Sequence, residues 1–347
     1  MTNKGQGTSS PWVDGNVLSA DDLLDTIAFS KWNFLTTSTS LGDVLWGTIR
    51  HSASAYSSTA GGMHFTSDTG VTWAADAGTE SIDTAPIVRV CEAALAEGFV
   101  AEASGNMETA YTSDSGANWT ATTVLAMGNS LVYDLSFPVS ALVVVAGDDG
   151  GGAKHIVYST NQGTAWTDPV TSPNVACGTV SMFDDTTGYA VDTNSNIWKS
   201  NDPDSGVAKW ADTTDNTIFP AGVNDTCLAV TADILLIGSA GGDINYYVNS
   251  TNTVTAVFQE KGYDISLGFV TTTNGNIYTG WVDTTGTVCA IAGSTDSGLT
   301  WTQMVVFNSS SIGSTRTLKS ALVEWGTNGL AVATNSNSYL RVFRDSD

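Results

Sequence analysis

The 347-residue chain has little positive charge: 12 Lys and Arg stand against 35 Asp and Glu, a formal net charge of −23. Nucleic-acid binding draws most of its affinity from Lys and Arg displacing counterions, and no basic cluster exists here. The same charge repels anionic lipid and favours solubility. No apolar stretch approaches the roughly 18 residues needed to cross a bilayer, so membrane insertion is not expected. Met1–Ser10 has no apolar core, so it does not read as a cleavable secretory signal. Cys91, Cys177, Cys227 and Cys289 lie far apart in apolar runs, without Cys-x-x-Cys or Cys/His pairing. They read as buried free thiols rather than disulfides or metal ligands.

Proline is scarce, with 7 copies, while glycine reaches 35 and Ser, Thr, Asn and Asp are abundant. Gly, Asn and Asp tolerate the backbone angles of tight turns, which suits many short strands. The Ala/Glu/Lys/Leu mixture of a helical protein is missing. The expected class is all-β.

One pattern recurs: Ser/Thr-x-Asp-x-Gly-x-Thr-Trp. It occurs at Thr66 with Asp68, Gly70 and Trp73, at Thr112 with Asp114, Gly116 and Trp119, and at Ser294 with Asp296, Gly298 and Trp301. Weaker copies carry Asn161, Gly163 and Trp166, and, with an insertion, Asp202, Gly206 and Trp210. The motif tryptophans Trp73, Trp119, Trp166 and Trp210 are spaced 46, 47 and 44 residues apart. Trp210 and Trp301 are 91 apart, two periods with a degenerate copy between Val248 and Phe258. A period of about 40–50 residues is propeller spacing. The Asp accepts backbone hydrogen bonds of its own turn, the Gly supplies an angle other residues resist, and the Trp opens a strand and wedges between blades. These residues are therefore read as structural rather than catalytic or metal-binding.

Each repeat reads as four short strands. In the third they are Ser130–Phe137, Ala141–Ala146, Lys154–Tyr158 and a strand opening at Trp166. Blades begin near Ser30, Thr84, Ser130, Val175, Gly222, Tyr263 and Ser314. The expected fold is a seven-bladed β-propeller of four-stranded antiparallel blades. The last blade runs out of chain after Phe343, and Pro11–Asp14 offers its missing strand, with Trp12 at the Trp position. The N-terminus is thus expected to close the ring and remove an open sheet edge. Leu18–Ala28 reads as one short helix, with Ser19 and Asp22 as a capping box. Residues 1–29 form this closing segment and 30–347 the propeller, a single domain overall.

The recurring motif resembles the Asp-box (bacterial neuraminidase, or BNR) repeats of sialidases, xyloglucanases, sortilin-type receptors and a photosystem assembly factor. That resemblance covers blades one to six and implies a fold rather than an activity. Pro11–Leu23 separately resembles a segment near the start of phage tail-fibre and other virion proteins. A sialidase-like glycoside hydrolase would need three arginines on the substrate carboxylate, with a Tyr nucleophile, a Glu partner and an Asp acid/base. The chain has Arg50, Arg89, Arg316, Arg341 and Arg344, lacks the family's Arg-Ile-Pro signature, and offers Glu92, Glu102 and Glu324 as partners. His51, His64 and His155 read as strand or surface positions.

The acidic loops Asp148–Gly152 and Asp184-Asp185 could hold Ca2+, although solvated turns explain them; no cofactor is expected. Trp32, Trp46, Trp198, Trp281 and Trp325 lie outside the boxes, where one or two could stack on a sugar. The leading expectation is a non-enzymatic virion protein at a phage tail or particle surface, without a catalytic set and with no binding residues assigned. Its partners would be other virion proteins or a host glycan or receptor, and a homo-oligomer is compatible with the sequence. The alternatives are a glycoside hydrolase and an intracellular assembly scaffold.

Overall fold

The structure, a computed structural model, describes residues 12–14, 29–32, 44–49, 62–66, 74–75, 87–94, 97–102, 108–113, 119–122, 131–139, 141–148, 155–202, 206–213, 226–239, 241–259, 263–264, 268–271, 274–283, 288–308, 317–318, 323–324, 330–336 and 339–345. Among these residues all regular structure is strand, apart from one 3-10 turn at Asn249–Thr251. None of it is a helix long and apolar enough to cross a membrane.

β1 (Trp12–Asp14) comes first in the chain. The first sheet orders β2 (Phe29–Trp32), β3 (Val44–Ile49), β4 (Gly62–Thr66) and β5 (Ala74–Ala75). The second orders β6 (Ile87–Ala94), β7 (Glu97–Glu102), β8 (Thr109–Thr112) and β9 (Thr120–Ala121). The third holds β10 (Leu131–Val139), β11 (Leu142–Asp148) and β12 (Ile156–Ser159). The fourth has β13 (Cys177–Met182), β14 (Gly188–Asp192), β15 (Ile197–Asp202) and β16 (Gly206–Asp212). The fifth has β17 (Thr226–Ala229), β18 (Ile234–Gly238), β19 (Asp243–Val248) and β20 (Thr253–Gln259). In the sixth, β21 (Tyr263–Asp264) and β22 (Phe269–Thr271) both pair with β23 (Ile277–Asp283), followed by β24 (Val288–Ser294) and β25 (Thr302–Asn308). The last sheet sets β26 (Thr317–Leu318) and β27 (Val323–Glu324) against β28 (Leu330–Ser336), then β29 (Tyr339–Asp345).

Every pairing between these strands is antiparallel, and the expected starts of the repeats fall within a few residues of each sheet's first strand. β1 lies antiparallel on β29, with Trp12 opposite Asp345 and Asp14 opposite Phe343. Neighbouring sheets meet through their first strands: β2 against β6, β6 against β10, β10 against β13, β13 against β17, β17 against β22, β22 against β27 and β27 against β2.

Side-chain alternation explains how the sheets stack, because successive residues of a strand face opposite sides. In β11, Val143 and Val145 pack with Phe99 and Ala101 of the second sheet. Their neighbours Leu142, Val144 and Ala146 pack the other way, with Cys177, Val180 and Ala190 of the fourth. β18 divides likewise: Leu235 and Ile237 join Tyr189 and Val191, whereas Leu236 joins Ile277 and Ala290. Both faces are covered, so these strands read as unbroken apolar runs rather than as alternating ones. The core is a series of layers between sheets.

One expectation needs correction. No fourth strand opens at Trp166, and the third sheet ends there in a single bridge from Tyr158 to Thr167. Pro169 and Pro173 lack an N–H for a continued ladder, and the chain crosses to the fourth sheet, where Thr171 bridges Lys209. The degenerate copy near Val248–Phe258 keeps only the turn: the 3-10 turn ends on Asn252 at φ 49°, and β20 follows without a tryptophan. The helix expected over Leu18–Ala28 lies outside the described residues.

Candidate functional site

The motif turns are fully described in two copies, and they share one geometry. Asp296 Oδ1 accepts from Ser294 Oγ at 2.8 Å and from the Thr300 amide at 2.9 Å, while Oδ2 accepts from Thr300 Oγ1 at 2.6 Å. Ser294 Oγ in turn accepts from the Gly298 amide at 2.9 Å. Hydrogen bonds from Thr300 and then Ser294 hold the Asp296 carboxyl down at about 2. Asn161 repeats the plan, accepting from Ser159 Oγ at 2.8 Å and from the Ala165 amide at 2.9 Å. In both turns the fourth and fifth motif residues take positive φ: Gln162 56° and Gly163 79°, Ser297 60° and Gly298 92°.

The tryptophans lie between sheets. Trp210 is buried with residues of the third and fourth sheets, and half-buried Trp166 meets Phe99 of the second edge-on at 6.0 Å. Trp301 joins a cluster of the fifth and sixth sheets, and Trp119 is buried. Asp202 and Gly206 sit on β15 and β16. Asp68, Gly70, Trp73, Asp114 and Gly116 lie outside the described residues, whereas Trp12 is placed in β1.

Sequence reasoning missed a polar collar on the first strands. An edge strand leaves backbone N–H groups without a ladder partner, and each must be satisfied when buried. Here side chains of the preceding sheet supply the acceptors. Asp134 Oδ2 accepts from Thr179 Oγ1 at 2.7 Å and the Val180 amide at 3.0 Å, and Ser136 Oγ accepts from the Met182 amide at 3.1 Å. One sheet on, Thr179 Oγ1 accepts from the Cys227 amide at 3.2 Å and Ser181 Oγ from the Ala229 amide at 2.9 Å. Asp134 and Thr179, like Ser136 and Ser181, are 45 residues apart, a recurrence that a search for polar residues at the repeat period would find.

Three other described carboxylates, Asp184, Asp192 and Asp233, hold turns. Asp192 is buried and accepts four bonds, from the Asn194 and Asn196 amides, Asn196 Nδ2 and the Trp198 indole. Desolvation pushes the Asp184 carboxyl up, but bonds from Thr186 and Thr187 outweigh it and hold it below the ordinary range. Asp233 accepts from the Ser250 hydroxyl and amide, both at 2.7 Å. Asp148 Oδ1 stands 3.9 Å from Nδ1 of the buried His155. Among the described residues no group of three or more His, Cys, Asp or Glu is placed to hold a metal ion. Cys177 and Cys227 are buried free thiols, and burial pushes the Cys177 thiol up. Arg89, Glu92, Glu102 and Glu324 lie on strands, while Arg50 and Arg316 are outside the described residues.

A concave surface opens where the motif turn of the third sheet seats on the outer strands of the second. It is open to solvent, offers about 430 Å³ and is lined by Tyr111, Thr120, Ala121, Thr122, Gln162 and Thr164. Tyr111 donates to Glu97 Oε1 at 2.8 Å and accepts from Gln162 Nε2 at 3.3 Å. Burial, then the bond to Glu97 and its charge, push the Tyr111 phenol up to about 12, so it stays protonated at neutral pH. A Cβ on Gly163 would stand 2.7 Å from Thr122 Oγ1 and 2.8 Å from the Phe99 ring, so the turn is tightly seated.

Comparison with solved structures places this architecture. YCF48 bound to D1 peptide aligns over 97% of this chain and 96% of its own, at 15% identity and TM-score 0.59. YCF48 from Cyanidioschyzon merolae aligns over 96% and 98%, at 13% identity and TM-score 0.61. A GH74 enzyme from Niastella koreensis aligns over 94% of this chain but 55% of its own, at 16% identity and TM-score 0.59. The fold is a β-propeller. No family model and no curated protein matches the sequence. At these identities the likeness concerns fold alone.

Proposed function

We propose that this β-propeller has seven blades, is closed by β1 on β29, and serves as a non-enzymatic binding module at a phage tail or particle surface. The observation that carries the non-enzymatic reading is the use of five of the described carboxylates. Asp134, Asp184, Asp192, Asp233 and Asp296 each accept bonds from backbone amides, so they are committed to turns and the collar. A general acid or base needs an oxygen free to face substrate. The contacts among first strands, which return from β27 to β2, support the ring.

The Pro11–Leu23 resemblance supports the virion setting, with other virion proteins or a host glycan as partners and no cofactor required. One structural neighbour, YCF48, carries a bound peptide, which supports a protein partner equally well and favours an assembly scaffold as the second reading. The GH74 neighbours favour a glycoside hydrolase as the third.

Mass spectrometry of purified particles, with a panel of fluorogenic glycosides, separates these readings. The chain is expected in the particle, with no turnover. Absence from every particle fraction would remove the virion setting, and hydrolysis of any glycoside would replace the binding reading with the enzymatic one.

A further inference from the structure

The geometry points to a site for a neutral saccharide in the groove between the second and third sheets, lined by Tyr111, Thr120, Ala121, Thr122, Gln162 and Thr164. The inference rests on the binding-module reading and gives it a place and a ligand class. Size is the first argument, since about 430 Å³ lies within the range of small-ligand sites and matches one or two sugar rings. Chemistry is the second. Three threonines, a phenol and a primary amide supply both donors and acceptors, and the tyrosine adds an aromatic body. No lining residue is charged, so the groove offers no cation to a carboxylate, sulfate or phosphate, and the net charge of −23 opposes anions further.

Preorganisation is the third argument. Tyr111 is fixed by Glu97 and Gln162, and Gln162 sits in a turn seated against Thr122 and Phe99 through Gly163. Rigid walls reduce the ordering cost of binding.

Saturation-transfer NMR with cellobiose, lactose and maltose on the full chain tests this, beside the variants Ala121→Trp and Tyr111→Phe. Ala121 is exposed, so the indole fills the groove from outside the core. At least one of the three sugars is expected to receive saturation transfer from the wild-type chain. Ala121→Trp should lose the signal with its melting temperature unchanged, and Tyr111→Phe should weaken binding about fivefold by removing one neutral hydrogen bond. No transfer from wild type to any of the three overturns the inference. Full binding by Ala121→Trp also overturns it while leaving the binding-module reading intact. Release of monosaccharide that Ala121→Trp abolishes keeps the groove and overturns the non-enzymatic reading instead.

Discussion

At the scale of single residues, Asp296 commits both carboxylate oxygens to its own turn, and its folded pKa of about 2 lies below the ordinary aspartate value of about 3.9. A depressed carboxyl contributes stability that is complete above the unfolded value and is lost as pH falls through the folded one. The melting temperature of Asp296→Asn should therefore trail wild type at neutral pH, with the gap closing between about pH 4 and pH 2. Melting curves across that range check it; a gap independent of pH would mean that the charge plays no part. The third motif carries Asn161 and Ala165 where the sixth carries Asp296 and Thr300, so it lacks the Thr300 hydroxyl bond. Installing Asn161→Asp with Ala165→Thr should stabilise the chain by about 0.5 kcal/mol, measured by denaturant unfolding. The motif positions were legible at this scale because each residue type has a mechanical role inside one turn. The collar was not, because Asp134, Ser136, Thr179 and Ser181 act on the next sheet, and only the fold brings their partners near. Ser181→Ala should cost about 1–3 kcal/mol by leaving the buried Ala229 amide without its acceptor.

Among elements, the contrast between two glycines separates backbone strain from packing. Gly275 and Gly298 have φ of 84° and 92°, so a side chain is strained at either. A Cβ at Gly275 meets nothing within 4 Å, whereas at Gly298 it falls 2.6 Å from Leu236 of the neighbouring sheet. Both alanine variants should lose about 1 kcal/mol from strain, and Gly298→Ala about 1–3 kcal/mol more from overpacking, read from their unfolding curves. Trp210→Ala should be costlier still, about 3–5 kcal/mol, because the 2% exposed indole fills the layer between the third and fourth sheets. Strands were readable from short β-rich runs between turn residues. The fate of the segment after Trp166 was not, since its crossing to Lys209 depends on where the fourth sheet lies. The groove was equally hidden: Tyr111 and Gln162 are 51 residues apart and meet only because adjacent sheets stack.

For the whole molecule, the spacing of the tryptophans carried the architecture, because a constant period requires equivalent places in a repeating stack. The same logic made Pro11–Asp14 the expected partner of the last repeat, and the structure pairs β1 with β29. Function was far less legible, since the motif secures turns and leaves the chemistry of the open surfaces to residues that differ from repeat to repeat. The claim that the chain's two ends complete one sheet is tested most directly by hydrogen exchange at β29 in the full chain and in residues 18–347. Removing β1 takes away the partner of Phe343, Arg344 and Asp345. The account predicts that amide protection falls in the Phe343–Asp345 stretch of β29 in the shortened chain and that its melting temperature falls sharply. Protection and melting that match the full chain would contradict it.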